Sequence, residues 1–135
     1  MVSDGGWDAA AAESFCSQWL PAWTGNDPDR LLAFYSEDAF YSDPAVPRGV
    51  EGREALRRYF TKLLGRYPDW RWTHRRSLPL PDGFLNYWQA HLSDDGDAPS
   101  WEGVCVVRLR GSRIFRNEVF FDRSAMPRGT TEVPG

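Results

Sequence analysis

A chain of 135 residues, 41% of them hydrophobic and 26% charged, carries enough apolar material for one self-sufficient core and needs no disulfide or metal staple. Its net charge of -3, with no basic run beyond Arg57-Arg58 and Arg75-Arg76, excludes the basic face that a nucleic-acid binder requires. Cys16 and Cys105 lie far apart, without CxxC or Cys/His spacing, so they read as two buried thiols of a reducing compartment, with a disulfide as the alternative, and not as metal ligands. Met1-Val-Ser-Asp-Gly-Gly-Trp-Asp lacks the charged and apolar regions of a signal peptide, and no apolar run is as long as a membrane span. The cytoplasm is the expected location. Seven tryptophans in a chain that is 15% aromatic supply large rings, which line ligand cavities as well as cores.

In chain order, Asp8 is a good N-cap before an alanine run, and Phe15, Trp19 and Trp23 recur at helical spacing as one aromatic stripe. Pro21 should kink or end that helix. Gly25-Asn-Asp-Pro breaks the chain. Asp27-Pro28 then restarts a short helix, with Leu31, Phe34 and Tyr35 as its inner face. Residues 39–43 alternate as a strand, and residues 44–50 read as a Pro/Gly loop. A third helix is expected over about 52–65, with Leu56, Tyr59, Phe60, Leu63 and Leu64 inward and Gly65 as its C-cap.

Beyond Pro68 the period changes from 3.6 to 2. Trp70, Trp72 and His74 alternate with Arg71, Thr73 and Arg75 as a half-buried strand, and Pro81-Asp-Gly is a turn. Strands follow over Phe84 to Leu92, Trp101 to Arg110 and Arg113 to Asp122, with a polar loop after the first and Gly111-Ser112 turning between the last two. Residues 1–125 read as one domain, and 126–135 as a frayed Pro/Gly/Thr-rich tail. Three helices followed by an antiparallel meander give an α+β fold, in which a sheet this long curls as a cone around the helices and encloses a pocket.

With those elements placed, the chain resembles the nuclear-transport-factor-2-like superfamily, and its SnoaL-like members in particular. The resemblance runs over about residues 10–124. It rests on Asp27-Pro-Asp-Arg-Leu-Leu-Ala-Phe-Tyr-Ser-Glu-Asp-Ala-Phe-Tyr-Ser-Asp-Pro, Val50-Glu-Gly-Arg-Glu-Ala-Leu-Arg-Arg-Tyr-Phe and Arg113-Ile-Phe-Arg-Asn-Glu-Val-Phe-Phe-Asp. Members include ketosteroid isomerases, polyketide cyclases, epoxide hydrolases, dehydratases and non-catalytic modules, so function has to be argued from the site. The resemblance implies that Asp43 stands where the isomerases keep their proton-shuttling carboxylate. It puts Trp19 and Cys105 where those enzymes keep oxyanion-hole donors. An indole N–H can donate, whereas a thiol donates poorly. Asp122 matches the late acid or base of the cyclases. An epoxide-hydrolase arrangement would need Asp43, Asp122 and Arg108 around one water. Relatives commonly pair through their sheets, which implies a homodimer across the face that carries Val104 and Val106.

Asp43, next to Pro44, either caps loop N–H groups or works as an acid/base among Phe40, Tyr41 and tryptophan rings, where desolvation suits a carboxylate to that role. Asp122 and His74 are its candidate assistants, although pairing with an arginine explains Asp122 as well. His91 is the only other histidine, and two histidines do not complete a metal site. Trp19, Trp23, Tyr41, Tyr59, Trp72, Trp88, Cys105 and Phe121 are the expected pocket wall. No phosphate-cradling loop is visible, so no cofactor is expected. Two functions fit. One is a small cofactor-free acid/base enzyme (isomerase, cyclase, dehydratase or epoxide hydrolase type) acting on a small hydrophobic molecule. The other is a ligand-binding or interaction module of the same fold.

Overall fold

The computed structural model describes residues 7–122, so the expected tail at 126–135 and the extreme N-terminus lie outside the described residues. Asp8 caps α1 (Ala9–Trp19) by accepting from the Ala11 N–H at 2.8 Å. Pro21 cannot continue an α-helix, and Leu20–Trp23 tighten into a 3₁₀ turn. Gly25 and Asn26 then take positive φ, and Asp27 caps the short α2 (Pro28–Leu32). Tyr35 does not belong to α2. It is the first residue of β1 (Tyr35–Asp43), which begins earlier than the aromatic alternation suggests.

The segment expected as a loop at 44–50 forms β2 (Val46–Glu51), antiparallel to β1. Pro47 is tolerated because β2 is an edge strand, where a missing N–H breaks no ladder. α3 (Arg53–Arg66) buries Leu56, Phe60 and Leu64 and runs through Gly65, so the expected glycine C-cap is not used. β3 (Arg71–Leu80) extends through Pro79, again on an edge. β4 (Gly83–His91), β5 (Ser100–Arg110) and β6 (Arg113–Phe120) follow.

The strand order is β2-β1-β6-β5-β4-β3 in one curved sheet that does not close. The fold is the expected α+β cone, but the sheet is mixed: β1 pairs with β6 in parallel. Helices α1 and α3 pack on the concave side, α1 over β3 and α3 over β1. Two rows of inward residues cross this face. Tyr41, Asn117, Val107 and Phe84 are register partners in one row. In the other, Ser42 pairs with Glu118 just before Asp43, and Val119, the residue after Glu118, pairs with Cys105, which pairs with Asn86. The core is strongly aromatic. Trp19, Trp88, Tyr35, Phe60 and Phe84 are each no more than 1% exposed. No helix among the described residues is long and apolar enough to cross a membrane.

Candidate active site

The end of β1 places Asp43 at the edge of the interior with 7% of its surface exposed. The expected capping of loop N–H groups is made by one of its two oxygens. Its Oδ1 accepts the backbone N–H groups of Ala45 (2.8 Å) and Val46 (3.1 Å), which fixes the turn between β1 and β2. Its Oδ2 accepts the hydroxyls of Tyr41 (2.8 Å) and Tyr59 (2.7 Å). Tyr41 comes from the same strand two residues earlier and therefore on the same face, while Tyr59 comes down from α3. Four donors satisfy the anion without an arginine. Burial, and after it the neighbouring charge of Asp43, hold the Tyr41 hydroxyl well above the ordinary tyrosine range.

Rings extend from this centre as a belt of neighbours: Tyr59 to Tyr41, Tyr41 to Trp23, Trp23 to Trp72, Trp72 to Trp88 and Trp88 to Phe121, with centroids 4.4 to 6.0 Å apart. Tyr59, Trp72 and Phe121 are half-buried, whereas Tyr41, Trp23 and Trp88 are buried. Six of the eight residues expected as wall are thus ring neighbours in this belt. Trp70 serves another purpose: its indole donates to the Trp23 carbonyl at 2.6 Å and ties the 3₁₀ turn to the start of β3.

Trp19 is fully buried on α1, and Cys105 is 5% exposed on β5. Burial raises the Cys105 thiol strongly, and the charges of Cys16 and Asp43 add to the rise. The indole N–H of Trp88 approaches the Cys105 sulfur but does not complete a hydrogen bond. His74 is half-buried, and its Nδ1 lies 2.7 Å from Asn86 Oδ1. Asp122 is exposed, beyond the end of β6. Arg108 pairs with Asp82 at 2.6 Å beside the β3–β4 turn, so the Asp-Arg-Asp arrangement is not the one its guanidinium serves. His91 alternates with the inward residues of β4 and lies on the outer face. Val104 and Val106 are half-buried there, and Phe120 is 52% exposed. Arg116 pairs with Glu118 at 3.2 Å.

Sequence reasoning set Tyr35 on an inner face, though of a helix, and missed Asn86 and Asn117; all three are fully buried. Asn117 donates to the Tyr35 hydroxyl at 3.1 Å. A signal for Asn86 was present in the alternation Phe84, Asn86, Trp88, Ala90, which sets one amide in the phase of the core. Among the described residues, no group of three or more His, Cys, Asp and Glu side chains is placed to hold a metal ion.

The model of the SnoaL-like domain matches residues 16–117. The chain belongs to the SnoaL-like family. No curated protein matches the sequence. Solved structures do resemble the fold. One is a ketosteroid isomerase-like protein from Catenulispora acidiphila in complex with trimethylamine, at 19% identity and a TM-score of 0.70 over 89% of this chain and 93% of that one. Another is a SnoaL-like putative isomerase from Agrobacterium tumefaciens, at 24% identity and a TM-score of 0.62 over 82% and 97%. A third is TerC co-crystallised with polyporic acid, at 13% identity and a TM-score of 0.68 over 84% and 93%. At these identities the SnoaL-like likeness is one of fold.

Proposed function

We propose that this SnoaL-like domain is a cofactor-free acid/base enzyme acting on a small hydrophobic carbonyl compound, with Asp43 as the proton acceptor. The observation that carries the reading is the convergence of the Tyr41 and Tyr59 hydroxyls on one oxygen of a buried carboxylate, at 2.8 and 2.7 Å. A carboxylate needed only to hold the β1–β2 turn would use Oδ1, which already takes both backbone amides. Oδ2 and its two phenols are additional. Tyr59, the half-buried member, meets the ligand. The aromatic belt supplies the apolar surface, and the co-crystallisation of TerC, a protein of this fold, with polyporic acid supports the reading.

The step balances within the site. A C–H bond next to the substrate carbonyl breaks, and its electron pair moves to the carbonyl oxygen. The proton goes to the Tyr59 oxygen as Tyr59 passes its own proton to Asp43 Oδ2. Return of the proton to a different atom gives the isomerised product. Acid/base groups of this kind contribute about 10² to 10⁴ in rate.

The test is deuterium uptake at the carbon beside the carbonyl of indanone, in deuterium oxide, followed by proton NMR. Wild-type protein should accelerate uptake, and Asp43→Asn should lose about a hundredfold or more of that acceleration. Equal uptake with both proteins would refute the reading. Indanone that binds, by tryptophan fluorescence, without any accelerated uptake would instead support a binding module. The observation favouring that second reading is the ring-on-ring packing of Trp70, Trp72, Trp88 and Trp101, which fills much of the concave face with side chains.

A further inference from the structure

Trp72 is a hub of the aromatic belt. Trp23, Trp70, Trp88 and Trp101 all neighbour its ring, with centroids 4.4 to 6.3 Å away. It is half-buried on β3, an edge strand, so the belt meets solvent there. From Trp72 the rings lead inward to Trp23 at 5.8 Å, and from Trp23 to Tyr41 at 6.0 Å. Trp23 and Tyr41 are 5% and 2% exposed. Aromatic pairs at such spacings are packed ring against ring, and an electron tunnels readily from one to the next.

Packing alone does not account for indoles here. The N–H groups of Trp72, Trp88 and Trp101 are buried without a hydrogen-bond partner. Each unpaired buried donor costs about 1–3 kcal/mol, a cost that a phenyl ring does not incur. What an indole offers and a phenyl ring lacks is an electron that is readily given up. The missing partner also decides the fate of an oxidised Trp72. A tryptophan radical cation is trapped where it forms when its N–H proton passes to an acceptor. Trp72 has none, so a hole on its ring keeps its oxidising strength and moves on.

Tyr41 is the opposite case. Its hydroxyl donates at 2.8 Å to Oδ2 of Asp43, itself 7% exposed. Burial holds this hydroxyl well above the ordinary tyrosine range, so the ring is a neutral phenol. A neutral phenol yields an electron easily only when its proton leaves too, and here the proton already rests on a hydrogen bond to a carboxylate. Tyr59 donates to the same oxygen at 2.7 Å. Oδ2 can bind one proton, so one phenol at a time can be oxidised, and Tyr41 is the one packed on Trp23.

We infer that Tyr41 is a redox-active tyrosine, oxidised by one electron through Trp23 and Trp72, with Asp43 holding its proton. The electron leaves Tyr41, passes Trp23 and Trp72, and reduces a one-electron oxidant at the β3 edge, such as a peroxyl radical or an oxidised metal complex. The Tyr41 O–H bond breaks, a new O–H bond forms at Asp43 Oδ2, and a neutral tyrosyl radical remains. An electron from a thiol or enediol reductant, arriving by the same rings, reverses each change. The belt thus stores one oxidising equivalent beside the carboxylate. This one-electron function goes beyond the acid/base reading and does not depend on it.

The test is laser-flash oxidation of the full chain by ruthenium(III) tris-bipyridine, generated with a cobalt(III) ammine quencher. Transient absorption separates tryptophanyl from tyrosyl radicals. Tyr67, stacked on Trp70, and Tyr87, under Arg76, are changed to phenylalanine throughout so that their own radicals do not contribute. In this background a tryptophanyl signal should decay as a tyrosyl signal grows. The growth should slow in deuterium oxide, because the proton moves with the electron. Adding Tyr41→Phe or Asp43→Asn should abolish the growth and prolong the tryptophanyl signal. Trp72→Phe leaves the Asp43 cluster intact and should lower the tyrosyl yield, which keeps the assignment open to refutation if a cluster variant fails to fold. Tyrosyl growth undiminished by any one of these three changes would overturn the assignment, as would a tryptophanyl signal that decays with no tyrosyl growth. Deuterium uptake by indanone needs no oxidant, so the acid/base reading stands or falls separately.

Discussion

Removing one hydroxyl from the Asp43 cluster gives a sharp test of the geometry. Tyr41 is 2% exposed and donates to Asp43 Oδ2 at 2.8 Å, so Tyr41→Phe deletes one hydrogen bond to a charged acceptor and leaves the ring and its neighbours in place. Such bonds contribute about 1.5–3 kcal/mol. Part of that returns because the phenol oxygen no longer needs to be desolvated, which leaves a net loss of about 1–2 kcal/mol, or roughly 4 °C in Tm per kcal/mol. With Asp43→Asn in the background the arithmetic changes. The one amide oxygen stays on the Ala45 and Val46 N–H groups, and the amide nitrogen faces the tyrosines. The Tyr41 hydroxyl then accepts from a neutral donor, a bond worth about 1 kcal/mol, and the same desolvation return makes its deletion nearly neutral in that background. A double-mutant cycle by urea denaturation should therefore give a coupling of about 1 kcal/mol, with unchanged m-values. A coupling within about 0.3 kcal/mol of zero would mean that the two groups act independently, and the shared-oxygen geometry would be wrong.

Two further outcomes are expected. Burial, with Glu13 adding to it, pushes the Cys16 thiol up to about 12, and burial raises Cys105 in the same direction. The folded protein then holds protons that the unfolded chain releases. Stability should be fully present below about pH 9 and fall by about 1.4 kcal/mol per pH unit for each thiol as the pH rises toward 12. Cys16→Ala should flatten that slope in denaturation curves, and an unchanged slope would refute the assignment. Separately, a Cβ on Gly103 would stand 2.4 Å from the Trp88 ring and 2.5 Å from the Phe120 carbonyl oxygen. Gly103→Ala should cost about 1–3 kcal/mol by overpacking and alter near-ultraviolet circular dichroism, whereas an unmoved unfolding midpoint would contradict the close approach.

The legible parts of the chain were those governed by near neighbours. Asp8 and Asp27-Pro28 announce helix starts because capping needs only the next three residues, and Pro21 ends α1 for an equally local reason. The alternation through β4 and β5 follows from one face meeting a core and the other meeting solvent. β2 was not legible, because Pro47 and Gly49 read as loop unless the segment is known to lie on a sheet edge. Tyr35 was placed in α2 for a related reason: what makes it a strand residue is its pairing with Ile114, far away in sequence.

The same division runs through the candidate site. Residue types and local order were enough to pick out Asp43 with Tyr41 beside it and to name Tyr59 as wall, whereas Phe40, also expected beside Asp43, lies under Arg116 and against Gly49. Local order does not say that two phenols share one carboxylate oxygen, because Tyr59 arrives on a helix whose tilt over β1 is set by packing. It does not say that Val119, Cys105 and Asn86 share a row either, since that row crosses three strands and depends on their register. The sequence by itself determined which segments are helical or extended, β2 and the start of β1 excepted, and which carboxylate is flanked by rings. Only the tertiary structure decided which polar groups face one another, because side-chain convergence depends on strand register and sheet curvature, and those are settled by contacts between residues distant in the chain.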